Sequence, residues 1–164
     1  MDEPIQAQVK RSLQTAEGLY HRLVLLVGET GSGKTAVLRG VAAELGVPVI
    51  DINLELSIQL LELTIRQRAL RLPELLDQIV AIGHSTMVLD NLEILFDKEL
   101  KQDPLRLLQG LSRNRSVVAS WNGLAEGRKL TYAEAGHPEY RRYDLIDTLI
   151  VRMNGVATID SAQQ

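Results

Sequence analysis

Eight consecutive residues, Gly28 to Thr35, read GETGSGKT and match the pattern G-x-x-x-x-G-K-[ST] in full. The glycines permit backbone torsions that let successive N–H groups turn inward around an anion. Lys34 adds a mobile positive charge for the β- and γ-phosphates, and Thr35 adds a hydroxyl for Mg²⁺. We therefore expect ATP and Mg²⁺ to bind here. The predicted nucleotide contacts are Gly28, Glu29, Thr30, Gly31, Ser32, Gly33, Lys34, Thr35 and Ala36.

A second pattern lies downstream, where the apolar run Met87-Val88-Leu89 ends at Asp90. An apolar strand that ends in an acid is the Walker B pattern, which places a carboxylate beside a bound magnesium ion. We expect Thr35 and Asp90 to hold Mg²⁺, Asp90 through water or through Thr35. An aspartate that only forms a turn at the strand end is the alternative interpretation.

The residues that follow Asp90 bear on hydrolysis. Many ATP-hydrolysing proteins with this loop carry a glutamate at the next position, but here that position is Asn91. Asparagine can orient a water molecule but cannot accept its proton as a carboxylate does. Glu93 is the predicted substitute if the chain turns into a helix there, and a solvated helix residue is the alternative. The sequence therefore specifies nucleotide binding better than it specifies hydrolysis.

The functional residues need a scaffold, and the sequence predicts alternating strands and helices. The predicted strands are Leu23–Val27, Val47–Ile52, Thr86–Asp90, Ser116–Ser120 and Leu145–Val151. The predicted helices are Pro4–Glu17, the segment from the loop to about Leu45, one capped by Ser57, one from Pro73 to Ile82, and one from Asp103-Pro104 to Leu111. Leu92–Leu95 is expected to be a connection or short helix, and Gly123–Tyr143 a polar connection. This alternation implies an α/β fold with helices on both faces of a parallel sheet and nucleotide at the carboxyl ends of the strands.

Length and composition limit the class of protein. The 164 residues predict one domain, residues 1–153 with an N-terminal helix, followed by a mobile tail at 154–164. The net charge of −3 argues against a strongly basic nucleic-acid surface, and the lack of cysteine excludes disulfides. We expect a cytoplasmic protein without a membrane segment, because no apolar run approaches spanning length and the first residues lack a signal-peptide pattern.

The order of these patterns resembles the RecA/AAA+ branch of P-loop NTPases over about residues 20–153. The resemblance implies a three-layer core with a mostly parallel five-stranded sheet in the order 5-1-4-3-2. It also likens Asn122, after Ser120-Trp121, to the sensor 1 residue that contacts the γ-phosphate or positions water, and this makes Asn122 the third predicted catalytic residue beside Asp90 and Glu93. A turn at Asn122-Gly123 is the alternative. The chain departs from AAA+ proteins in that no helical lid follows the fifth strand.

A closer resemblance rests on five runs of residues: VGETGSGKT, VIDINLELS, VLDNLEILF, VVASWNG and LIDTLIVRMNG. Together they look like the small stand-alone P-loop protein of type 3 BREX (bacteriophage exclusion) systems. The resemblance implies a role in bacterial anti-phage defence, alongside larger ATPase, methyltransferase and phosphatase-like components. The minimal core, Asn91 in place of the usual glutamate and the negative net charge favour a weak ATPase or nucleotide switch. A core without a lid is expected to need a neighbour, either a homo-oligomer or a larger ATPase partner, to complete the site. The alternatives are a small-molecule kinase and a DNA-stimulated motor subunit.

Several residues outside these patterns are weaker candidates. Arg141 and Arg142 are predicted to act on a neighbouring subunit or partner, and Arg113 and Arg115 are further candidates for the same role. Contact of the Gly123–Tyr143 stretch with DNA is the less favoured interpretation, because its charges are mixed. Tyr20 and His21 lie just before the first strand and are candidates for stacking on the base.

Overall fold

The computed structural model describes residues 3–81, 84–133, 139–145, 148–153 and 159–160. The helices are α1 (Ile5–Ala16), α2 (Lys34–Leu45), α3 (Ile52–Leu60), α4 (Ile65–Val80) and α5 (Pro104–Leu111), with 3₁₀ turns at Glu93–Phe96 and Lys98–Leu100. The strands are β1 (Leu23–Gly28), β2 (Val49–Asp51), β3 (Thr86–Asp90), β4 (Ser116–Glu126), β5 (Lys129–Tyr132), β6 (Arg141–Asp144), β7 (Leu149–Arg152) and β8 (Ile159–Asp160).

Five parallel strands form the centre of the sheet in the order β2-β3-β4-β1-β7. This is the predicted order 5-1-4-3-2, read from the opposite edge. The short strand β8 pairs with β7 in the antiparallel sense, so that Val151 lies opposite Ile159. Residues 154–158 and 161–164 of the predicted tail lie outside the described residues. The parallel arrangement brings the carboxyl ends of β1, β3 and β4 to one edge, which is where the site residues are found.

Both faces of the sheet are covered, and for this reason its strands read as continuous apolar runs. Along β1, Leu23, Leu25 and Val27 belong to one core cluster, while Val24 and Leu26 belong to the other. Side chains from α1 and α2 complete the second cluster. Side chains from α3, α4, α5 and the 3₁₀ turn after β3 complete the first. The predicted three-layer core is therefore confirmed.

The stretch expected to be a polar connection after the fourth strand is instead an antiparallel ribbon, and that prediction is wrong. β4 continues past Ser120 to Glu126, β5 pairs with its extension, and β6 pairs with β5. We call residues 123–126 of β4 together with β5 and β6 the ribbon. Gly127, at φ 58°, allows the tight turn between paired Glu126 and Lys129. The sequence does not indicate that β4 continues past Ser120, because Gly123 interrupts the apolar run.

An aromatic cluster attaches the ribbon to the core. Tyr132 stacks on Phe96 with ring centroids 3.4 Å apart, and Trp121 meets both rings edge to face. Tyr143 contacts Trp121 in the same way. Burial, with the Asp103 carboxylate nearby, raises the pKa of Tyr143 to about 12. The ribbon therefore packs directly against the 3₁₀ turn that carries Glu93.

Two helix predictions are also wrong. The helix expected to begin at Ser57 begins at Ile52, because Asp51 Oδ1 accepts a hydrogen bond from the backbone N–H of Leu54 and caps the helix earlier. The separate helix expected from Pro73 to Ile82 is the second half of α4.

Proline is tolerated inside α4 because a side chain replaces the hydrogen bond that Pro73 cannot make. Pro73 has no N–H for the carbonyl of Ala69, four residues earlier. Gln102 Nε2 donates to that carbonyl at 2.8 Å. The helix therefore continues through the proline to Val80.

Candidate nucleotide site

The phosphate-binding motif forms the loop between β1 and α2. Its backbone reverses direction at Gly33, where φ is 98°, and α2 begins at the next residue without a side-chain cap at its first turn. The loop closes tightly, since a Cβ atom added to Gly28 would lie 2.6 Å from Ser32 Oγ and 2.8 Å from Met153 Cβ. The free N–H groups at the start of α2 and the positive end of its dipole suit an anion such as phosphate.

Lys34 lies across this loop. Its ammonium group donates hydrogen bonds to the carbonyl oxygens of Gly28 at 2.9 Å and Glu29 at 2.7 Å, and it lies 3.3 Å from Ser32 Oγ. Burial lowers the pKa of Lys34, while nearby carboxylates, led by Asp90, oppose that change. In this structure neutral carbonyl oxygens accept the hydrogen bonds of the buried ammonium. Charged phosphate oxygens form stronger hydrogen bonds with an ammonium, so a bound phosphate can replace the carbonyls.

Asp90 is a buried carboxylate fixed by two hydroxyls. Thr35 Oγ1 donates to its Oδ2 at 2.7 Å, and Ser120 Oγ donates to its Oδ1 at 2.7 Å. Asp90 is only 5% exposed. Hydroxyl and carboxylate oxygens are the ligands that Mg²⁺ prefers, so the chemistry of this group fits a magnesium ion. Ser120 was not predicted as a site residue; its register opposite Leu26, two residues before the loop, places it there.

Glu93 and Asn122 come together from different elements. Asn122 lies opposite Gly28 in the β4–β1 pairing, beside the first residue of the loop. Its Nδ2 donates to Glu93 Oε1 at 2.7 Å. Glu93 Oε2 is buried and has no hydrogen-bond partner among the described residues. The chain does turn into a helix at Glu93, of the 3₁₀ type, and this brings the carboxylate to the carboxyl edge of the sheet.

Asn91 points away from the loop. It has a left-handed backbone with φ 55°, and its Nδ2 donates to Asp51 Oδ2 at 3.0 Å. Its carbonyl accepts from the N–H of Asn53, whose own Oδ1 accepts from the N–H of Ile94 at 2.8 Å. Asn91 therefore joins β3 to the start of α3. Asp51 and Asn53, which sequence patterns did not single out, fix the turn from which Glu93 projects.

An open cavity of about 1130 Å³ lies beside the loop. Its lining includes Glu29 and Thr30 of the loop, residues of the ribbon, and the pair Glu93 and Asn122. The cavity lining includes Arg142 from β6. The site thus consists of a phosphate loop, a buried carboxylate with two hydroxyls, and a second polar pair that faces an accessible space.

The arginines predicted to act on a neighbouring subunit lie in different surroundings. Arg141 is bound within the chain, since its Nη1 donates to the carbonyl of Gln102 at 3.0 Å, and only Arg142 faces the cavity. Arg115 lies 3.8 Å from Asp77.

The two base-stacking candidates lie together at the surface. Tyr20 is exposed, with the guanidinium of Arg113 5.0 Å from its ring centre and His21 edge-on to it. His21 Nδ1 is 3.0 Å from the carbonyl oxygen of Gln109. Stacking of Tyr20 and His21 on the base therefore stays a prediction.

The sequence of residues 24–118 matches the family described as "ATPase family associated with various cellular activities (AAA)". The chain belongs to this family. The match starts within β1 and ends within β4, so that it includes the loop and Asp90 but excludes Asn122 and the ribbon. Membership in this family implies a nucleotide-binding domain of the ATPase type.

Two solved structures are similar to this chain. PCH-2 from C. elegans is 16% identical, with a TM-score of 0.49, over 94% of this chain and 42% of that one. AMPPCP-bound DnaA from Aquifex aeolicus is 18% identical, with a TM-score of 0.44, over 78% of this chain and 39% of that one. The chain thus spans about two fifths of the length of either protein. Comparison with curated proteins gives no match.

Among the described residues, no helical lid follows β7. Within the same part of the chain, no helix has the length and apolar character needed to cross a bilayer.

Proposed function

We propose that this AAA domain is a nucleotide switch that binds Mg-ATP and hydrolyses it slowly by itself. The observation that carries the proposal is the hydrogen bond between Asn122 and Glu93. It engages the carboxylate best placed to act as a general base and the amide best placed to contact the γ-phosphate. In this arrangement the amide of Asn122 is bound to the carboxylate, and the second oxygen of Glu93, Oε2, is buried.

Each residue of the site has a distinct proposed role. The loop from Gly28 to Ala36 holds the phosphates through its N–H groups, and Lys34 turns its ammonium from the loop carbonyls to the β- and γ-phosphates. Thr35 and Asp90 would hold Mg²⁺, and Ser120 orients the Asp90 carboxylate. An ion held there would supply positive charge close to the phosphate oxygens.

The low hydrolysis rate follows from the position of the general base. Asn91, which occupies the usual position of that base, is turned toward Asp51. Oε2 of Glu93 has no donor but is buried, so we expect the carboxylate to orient a water molecule once its Oε1 loses the amide of Asn122. A γ-phosphate that accepts a hydrogen bond from Asn122 would release Glu93. Nucleotide binding and activation of the base are thereby coupled through one side chain.

The wider role that we propose is bacterial anti-phage defence, as part of a complex with a larger ATPase partner. The runs VGETGSGKT, VLDNLEILF and VVASWNG, with their resemblance to the small P-loop protein of type 3 BREX systems, support this role. The open cavity beside the loop supports it as well, because a partner could complete the site there.

The experiment compares nucleotide binding and phosphate release in wild type, Glu93→Gln and Asn122→Ala, with Glu99→Gln as the matched control on the exposed turn after Glu93. We expect Glu93→Gln to keep its affinity for Mg-ATP and to lose roughly 10²-fold or more in turnover, the contribution typical of a general base. Asn122→Ala should bind Mg-ATP but hydrolyse it at a changed rate. Glu99→Gln should bind and hydrolyse Mg-ATP as wild type does. Unchanged turnover in Glu93→Gln would remove Glu93 from the mechanism, and wild type that binds no nucleotide would refute the proposal.

A second candidate function is phosphoryl transfer to a small acceptor. The cavity between the loop and the ribbon favours it, because an acceptor there would face the γ-phosphate end of the site. The same assay separates the two functions. Hydrolysis releases inorganic phosphate in proportion to the ADP formed, whereas transfer forms ADP only when an acceptor is added.

A further inference from the structure

Strand β4 has a gap along one of its edges, next to the 3₁₀ turn that carries Glu93. The pairing of β4 with β3 ends at Ala119, because β3 ends soon afterwards and the chain turns away from the sheet. The pairing of β4 with β5 begins at Gly123. Residues 120–122 therefore lie between the two ladders, where neither strand pairs with them.

Backbone groups of β4 face this gap. Along a strand the N–H and C=O groups of successive residues point to alternate sides. The N–H of Ser116 donates to the carbonyl of Ser85 before β3, and the carbonyl of Asn122 accepts from the N–H of Ala133 after β5. Even-numbered residues thus face β3 and β5. The carbonyl of Ser120 and the N–H of Asn122 point into the gap, and neither has a backbone partner there among the described residues.

A small cavity has its lining on both sides of the gap. The lining consists of Leu92, Glu93 and Phe96 from the turn, residues 120–122 of β4, and Tyr132 of β5. Oε2 of Glu93 is buried and lacks a hydrogen-bond partner among the described residues. The cavity has a volume of about 10 Å³, which is close to the smallest space that holds one buried water molecule.

We propose that this cavity binds one water molecule, which donates to Oε2 of Glu93 and to the carbonyl of Ser120 and accepts from the N–H of Asn122. A buried water typically forms about three hydrogen bonds with polar groups that otherwise lack partners. Two acceptors and one donor suit water, which has two protons to donate and lone pairs to accept. A cation would suit the two oxygens but would be repelled by the N–H.

The bound water gives the two oxygens of Glu93 different roles, and this consequence rests on the proposed function. Water holds Oε2 throughout, whereas Asn122 holds Oε1 only until a γ-phosphate takes the amide. The carboxylate then stays at the edge of the sheet while Oε1 becomes available to the attacking water. One lasting and one exchangeable hydrogen bond thus position the general base.

A high-resolution crystal structure of the full chain without nucleotide tests the water site directly. Density for one water should lie roughly 3 Å from Oε2 of Glu93 and from the carbonyl of Ser120. In solution, NMR should show magnetisation transfer between water and the amide proton of Asn122, but not the amide of Ser116, which is bound to Ser85. A protein group bonded to Oε2, or side chains that close the cavity, would overturn the inference. Neither measurement depends on nucleotide binding or hydrolysis.

A cavity-filling substitution tests the consequence for Glu93. Leu92→Phe enlarges a side chain of the lining and should displace the water, whereas Leu95→Phe, at a buried leucine of the same turn outside the lining, is the matched control for overpacking. Leu92→Phe should bind Mg-ATP as Leu95→Phe does. Its turnover should fall by roughly 10-fold or more relative to that control, because a displacement of about 1 Å can cost roughly 10²-fold.

The outcomes separate the water site from the proposed function. Equal turnover in the two variants, with the water signal at Asn122 lost only in Leu92→Phe, would overturn the role of the water in positioning Glu93. If circular dichroism shows that Leu92→Phe does not fold, the crystal structure and NMR of wild type decide. Wild type that shows the water but binds no nucleotide would refute the proposed function and leave the water site standing.

Discussion

Ser120 shows how much the surroundings of a single residue matter in this protein. Its hydroxyl donates to Asp90 Oδ1 at 2.7 Å, while Thr35 occupies the other oxygen of the same carboxylate. A buried carboxylate with two donors has a fixed orientation. The metal site that we propose therefore depends on a serine that was not predicted as a site residue.

We predict that Ser120→Ala weakens magnesium-dependent nucleotide binding by about 10-fold, because loss of a residue that orients a ligand typically reduces metal affinity by 10- to 100-fold. Binding of nucleotide in the absence of magnesium should change little. Titration with and without Mg²⁺ measures both quantities. Ser116→Ala, at a buried serine of the same strand, is the control. Equal losses with and without the metal would contradict the assignment of Ser120.

At the scale of elements, α4 and the segment before α5 depend on each other. Pro73 leaves the carbonyl of Ala69 without its helical donor, and Gln102 supplies that donor from a loop. Gln102 Nε2 also lies 2.8 Å from the carbonyl of Leu100, and the carbonyl of Gln102 accepts from Arg141. One glutamine thus links α4, the loop and the ribbon.

We predict that Gln102→Ala destabilises the fold by about 1–3 kcal/mol, the cost of a buried carbonyl left without a donor. Gln102→Ala should lower the free energy of unfolding by less in a Pro73→Ala background. An alanine at position 73 has the N–H that can donate to the carbonyl of Ala69. Denaturant unfolding of the four proteins in this double-mutant cycle gives the coupling between the two positions. An equal cost in both backgrounds would show that Gln102 acts elsewhere.

For the molecule as a whole, the phosphate loop links ligand binding to stability. The loop closes between β1, α2 and the residue that follows β7, where Met153 lies against Gly28. Ligand that binds only the folded chain stabilises every element that forms the site. Because the central strand β1 leads into the loop, this stabilisation should appear in global unfolding.

We predict that Mg-ATP at a hundredfold excess over its dissociation constant stabilises wild type by about 2.7 kcal/mol. For a domain of this length that corresponds to a rise in melting temperature of roughly 5–10 °C. Lys34→Ala should abolish the rise, and Lys10→Ala, at a half-exposed lysine of α1 that pairs with Glu44, should retain it. Melting followed by circular dichroism measures the change. An equal rise in melting temperature in Lys34→Ala would show that the nucleotide does not bind at the loop.

The sequence by itself determined the phosphate loop and the five parallel strands, whereas the strand order was predicted from the resemblance to the RecA/AAA+ branch. The loop and the strands can be recognised from local patterns. The loop shows glycines with Lys34 and Thr35 at fixed spacing, and the strands are apolar runs long enough to be buried on both faces. The cap at Asp103 and the start of α5 at Pro104 are equally local, and both were predicted. Each of these predictions depends on neighbours within one turn or one strand, and the sequence displays such neighbours directly.

Tertiary structure alone decided which distant residues meet. The Ser120–Asp90 bond joins residues 30 positions apart, and the Asn122–Glu93 bond joins residues 29 apart. The direction of Asn91, the continuation of α4 through Pro73 and the ribbon after β4 likewise depend on partners far along the chain. Hydrogen bonds and packing between such partners form only when the sheet brings them together, so that no local pattern records them.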